Sequence, residues 1–169
     1  TQATRDTYEF GFDNFDKTKT NILVKKTFAD NNPYSVSVDG FEFEVEDYSG
    51  NKTVITTANG GIATYPASGD LNFAYADITA ANNGEFTYKV TELLPEVNGT
   101  RVQIGTGAND AKAVAGMTGY YQYGNITYNL NPVTVIVKLT GDASTKKITK
   151  VEQYLGSVSD ANKIYDSTA

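Results

Sequence analysis

Short runs of alternating apolar and polar residues fill almost the whole chain, cut apart by clusters of Gly, Asn, Asp, Ser and Thr. Successive side chains of a strand point to opposite faces, so each run buries one face and wets the other. No stretch carries the period of an amphipathic helix. The runs predict strands over 8–14, 22–28, 41–48, 52–57, 71–73, 85–92, 126–130, 133–140 and 148–155. So many short strands predict an all-β fold, an antiparallel sandwich of immunoglobulin type. Residues 93–124 interrupt the rhythm. A loop that long in a compact domain has a purpose or structure of its own. It reads as an insertion, with a helical turn expected around Ala111–Ala115 and an aromatic end, Tyr120-Tyr121-Gln122-Tyr123. Those rings either cover the end of the sandwich or contact a glycan or protein.

Composition narrows the chemistry. The 169 residues include no Cys and no His. Disulfides, thiol nucleophiles, imidazole bases and Cys- or His-ligated metals are therefore excluded. No catalytic set for glycan chemistry is visible, and no cofactor or metal is expected. A formal charge of -6 disfavours nucleic acid and anionic membranes as partners. The acidic pairs Glu42/Glu44 and Glu46/Asp47 read as a solvated face. Asn51, Asn98 and Asn125 each open an Asn-x-Thr triplet. The chain starts Thr1-Gln2-Ala3 without an initiator Met, which reads as a processed or excised segment.

Parity singles out three polar residues on otherwise apolar faces. Lys26 shares a face with Ile22, Val24 and Phe28. Glu92 shares one with Phe86, Tyr88 and Val90. Asn14 shares one with Tyr8, Phe10 and Phe12. Each either points to solvent at a strand end or is buried and needs a partner. Away from water an amine favours its neutral, nucleophilic form, and a carboxyl its protonated form. A buried Lys26, with Glu92 polarising a side-chain carbonyl and shuttling protons, has the groups for an intramolecular amide bond. That is a single maturation step, not enzymatic turnover.

At these residues the chain resembles the streptococcal T-antigen (FctA-type) major pilins, the pilin isopeptide-linkage family. Gly84-Glu85-Phe86-Thr87-Tyr88-Lys89-Val90-Thr91-Glu92 is similar to that family's strand whose Glu assists bond formation. Ile22-Leu23-Val24-Lys25-Lys26 resembles its first strand, which ends in the reactive Lys. Ile126-Thr127-Tyr128-Asn129 and Val133-Thr134-Val135-Ile136-Val137 resemble a further strand pair. The likeness covers about Ile22 to Leu155. It implies a CnaB-type sandwich over 21–169, preceded by an N-terminal closing or donor strand and linker over 1–20. It also implies an extracellular structural subunit of a pilus or adhesin stalk on a bacterial surface, whose partners are other copies of itself. The alternative is a host glycan- or protein-binding adhesin module using residues 93–124.

The family's third residue is an Asn on a closing strand, and here the chain departs from the pattern. The stretch from Lys163 to Ala169 offers no strand of that kind, and the match lies instead at Phe10-Gly11-Phe12-Asp13-Asn14. Two readings follow. Asn14 is the acceptor, on a strand donated to a neighbouring copy, because the linker 15–21 is short for a parallel crossover. Alternatively, Asp166 is the acceptor within the same domain, with loss of water in place of ammonia.

Overall fold

The computed structural model describes residues 3–11 and 18–167. Among them the first half of the chain forms β1 (Thr4–Gly11), β2 (Lys19–Thr20), β3 (Ile22–Phe28), β4 (Glu42–Glu46), β5 (Lys52–Thr56), β6 (Ile62–Tyr65), β7 (Leu71–Asn72) and β8 (Glu85–Glu92). The second half forms β9 (Glu96–Val97), β10 (Thr100–Arg101), β11 (Lys112–Ala113), β12 (Tyr120–Tyr123), β13 (Ile126–Asn129), β14 (Val133–Asp142), β15 (Lys147–Leu155) and β16 (Lys163–Asp166). Helical structure among the described residues is limited to two short 3-10 turns.

The fold is an all-β sandwich. One six-stranded sheet runs β11-β12-β13-β1-β3-β6, and the other runs β16-β15-β14-β8-β4-β5. Two ribbons, β9-β10 and β2-β7, flank them. Among the described strands pairing is antiparallel except between β1 and β13, which run parallel with Thr4 opposite Ile126, and an isolated parallel bridge joins Ile104 to Ala111. The core is built by alternation. Ile22 and Val24 of β3 meet Phe43 and Val45 of β4, Phe86, Tyr88 and Val90 of β8, and Val135, Val137 and Leu139 of β14. These side chains are fully or nearly fully buried, as period-two patterning requires when one face of each sheet is dry.

The strands 22–28 and 85–92 have the bounds their sequence predicts. Several local expectations change. No helical turn forms at Ala111–Ala115. Lys112–Ala113 instead pairs antiparallel with Tyr121–Gln122, because Gly116 and Gly119, both at positive φ, turn the chain back on itself. The insertion thus extends the first sheet, and Tyr121 and Tyr123 rest against the core. The segment Lys163–Asp166 is an edge strand beside β15. Ile62–Tyr65, which is not among the strands the sequence predicts, is held by pairing with β3. The first strand also starts earlier than its alternation suggests. It runs from Thr4, inside the first sheet between β3 and β13.

Candidate functional site

Lys26 lies on β3 in the first sheet and Glu92 on β8 in the second. Their meeting therefore joins the two layers. Alternation turns Lys25 to solvent and Lys26 inward, so the second lysine of the pair is the buried one. The Lys26 backbone N–H donates to the carbonyl of Gly61 at 2.7 Å. Gly61 has φ +89, and a Cβ there would lie 2.8 Å from the Lys26 carbonyl oxygen. Only glycine allows that approach. The Asp39 carboxylate holds the turn, accepting from the Gly61 N–H at 2.7 Å and the Gly60 N–H at 3.1 Å.

The Lys26 ammonium donates to Glu92 Oε2 at 2.5 Å. It also lies against Asp6 Oδ2. Lys26, Glu92 and Asp6 are each 1% exposed. Asp6 sits on β1, where Tyr8 stands opposite Lys26 and Asp6 opposite Phe28. The Asp6 carboxylate is thus a diagonal neighbour of Lys26 on the same face of the sheet, within reach of a long side chain. Neither Asp6 oxygen has a hydrogen-bond partner, and Glu92 Oε1 has none either. Lys26 touches Asp6 as an ion pair, off hydrogen-bond geometry.

Aromatic rings close the site. The Lys26 nitrogen stands 4.2 Å from the Phe41 ring centre, 5.8 Å from Tyr8 and 6.0 Å from Phe28. Phe41 in turn contacts Phe28 and Tyr128. This wall excludes water and gives the ammonium π faces in its place. Burial, reinforced by the neighbouring Asp6 charge and opposed by Lys26, pushes the Glu92 carboxyl from its ordinary 4.5 up to about 9. Glu92 is therefore protonated at neutral pH. The Tyr8 and Tyr128 phenols are raised by burial and by the charges of Glu92 and Asp6.

The structure brings together the predicted Lys26 and Glu92. Asp166 lies on edge strand β16 in the other sheet, with its carboxylate 3.3 Å from Lys163 Nζ. Asn14 lies outside the described residues. The carboxylate found at Lys26 is Asp6, which the sequence reading passed over. Parity alone carries the face Tyr8, Phe10, Phe12 backwards by twos to Asp6 and Thr4, which are buried but polar, so the apolar pattern stops short of them. The other acidic pairs are engaged on the surface. Glu42 accepts from Arg101 at 2.5 Å. Glu44 lies 3.7 Å from Lys52, and Glu46 3.9 Å from Lys89. Asp47 accepts backbone N–H bonds from Ser49 and Asn51, which hold its carboxyl below the usual range.

No protein-family model, curated protein or solved structure matches the chain.

Proposed function

We propose that this chain is a structural subunit of a bacterial surface fibre, a pilus or adhesin stalk, stapled by a self-formed amide bond between Lys26 and Asp6. The supporting observation is a buried triad: the Lys26 amine is held between the Glu92 and Asp6 carboxyl groups, and all three side chains are shut away from solvent.

A chemical route follows from those groups. In a site this deeply buried, the neutral amine and acid need no solvation of charge. Proton transfer from the Lys26 ammonium to the Asp6 carboxylate produces that pair. The Lys26 nitrogen then attacks Asp6 Cγ and a C–N bond forms. The Glu92 carboxylic acid donates a hydrogen bond to the oxygen on which charge develops, then gives its one proton to the departing hydroxyl. It recovers a proton from the new amide nitrogen. The C–O bond breaks, one water leaves, and Glu92 ends as it began. Proximity supplies much of the rate, since both partners are held before the reaction. Loss of water distinguishes this bond from a Lys–Asn bond, which releases ammonia.

Intact mass under denaturing conditions checks the reading. The wild-type chain is expected one water lighter than its sequence mass, and Lys26→Met at full mass. A wild-type chain at full mass would overturn the proposal.

A further inference from the structure

We infer that the slot between β3 and β13 also accepts β1 from a second copy of this chain, so that Asp6 of one molecule bonds Lys26 of another. This inference rests on the Lys26–Asp6 chemistry above and identifies the subunit's partner as itself.

Four observations support it. First, β3 and β13 pair with β1 and not with each other, so β1 fills a gap between two strand edges. Without it both edges lie open, and open edges recruit strands. Second, the slot already shows what fits it: an extended segment presenting Thr4, Asp6, Tyr8 and Phe10 to the core. Every copy of the chain carries that segment. Third, before any bond forms β1 is held imperfectly. Thr4 Oγ1, Asp6 Oδ1 and the Tyr8 hydroxyl are buried without hydrogen-bond partners, and Asp6 Oδ2 has only its ion pair with Lys26. Its pairing with β13 covers two positions, against six with β3. Fourth, β1 comes first in chain order among the described strands. Its departure leaves the remaining connections intact, the condition under which an element exchanges between identical molecules at low cost.

The bond makes either arrangement permanent. In the exchanged form the Lys26 amine of one copy and the Asp6 carboxyl of another become an amide, and one water leaves. The chain's own β1 competes at an effective concentration of about millimolar, as short linkers give. Exchange therefore grows with protein concentration, as on a crowded cell surface.

Complementation tests the inference. Lys26→Met copies keep the acceptor and lack the amine, whereas Asp6→Ala copies keep the amine and lack the acceptor. The two are unfolded, mixed, refolded together and separated on a denaturing gel. The expected result is a covalent heterodimer whose mass is the sum of both chains less one water, absent when either variant is refolded alone. Its yield rises roughly in proportion to concentration while it is the minor product. Because either substitution can impair folding, isotope-labelled and unlabelled wild-type chains are also refolded together and digested. A crosslinked Lys26–Asp6 peptide with one labelled and one unlabelled half is expected. If wild-type chains lose water but neither product forms, exchange is overturned and the internal staple stands. If wild-type chains keep their full mass, the bond chemistry itself fails.

Discussion

Glu92 carries the clearest pH signature of any single side chain. Its folded-state carboxyl is raised to about 9 from an ordinary 4.5, first by burial and then by Asp6. Between those values the folded state binds a proton that the unfolded state has released. Stability is therefore fully present below about 4.5 and is lost as pH rises through about 9. The unbonded variant Lys26→Met exposes this dependence, because no covalent bond masks it. It also removes the one neighbour that lowers the Glu92 pKa, so the direction holds. Its urea midpoint is expected to fall steadily from acid pH toward about 9, and Glu92→Gln in the same background to flatten the curve. A midpoint that rises with pH would mean that Glu92 is buried ionised. Lys26 and Glu92 were legible as residues because parity needs only the backbone period. Asp6 was not, because its strand's apolar signal begins at Tyr8 and the buried Thr4 and Asp6 before it are polar.

At the scale of the element, β3 depends on a backbone contact that no side-chain pattern announces. Gly61 comes close enough to the Lys26 carbonyl that a Cβ would meet it at 2.8 Å, and its φ is +89. Gly61→Ala combines that clash with a strained conformation and is expected to cost about 1–3 kcal/mol. Denaturant unfolding of the wild type and variant measures the loss. Intact mass of freshly refolded Gly61→Ala should show slower water loss, because Lys26 is displaced. Unfolding and bonding rates equal to wild type would remove Gly61 from the positioning of the site. The strands most easily read from sequence, β3 and β8, bury one apolar face over their whole length. Those read least well, β6, β11 and β16, are two to four residues long and at or near sheet edges. Their conformation comes from a neighbouring strand's hydrogen bonds more than from their own pattern.

For the whole molecule, the staple joins positions 6 and 26, which lie 26 − 6 = 20 steps apart along the chain. Closing a loop of that size stabilises a fold by roughly 3 kcal/mol on the chain-entropy account of covalent crosslinks. The mechanical consequence is sharper. Force applied to the two ends passes through the amide and bypasses the residues between its anchors. In single-molecule pulling, the fully extended wild type is expected to be shorter than Lys26→Met by roughly 60 Å, at about 3.5 Å per residue less the length of about 10 Å that the crosslink itself spans. Equal contour lengths would show that no bond shields the segment. The staple lies within the first sheet, while Glu92 reaches it from the second. Assembly of the site therefore waits for the sandwich to close, and bond formation reports on folding.

The sequence by itself determined the all-β class, the inward face of β3 and β8, and the place of one lysine and one glutamate on those faces. Those properties follow from a two-residue period and the cost of wetting apolar side chains. It also excluded thiol and imidazole chemistry, because the residues are absent. The tertiary structure decided which carboxylate meets Lys26. That depends on β1 pairing antiparallel with β3 at one register, Tyr8 opposite Lys26. A shift of one residue would turn Asp6 away from the core. Register between paired strands is set by the closed sandwich, and local alternation does not encode it.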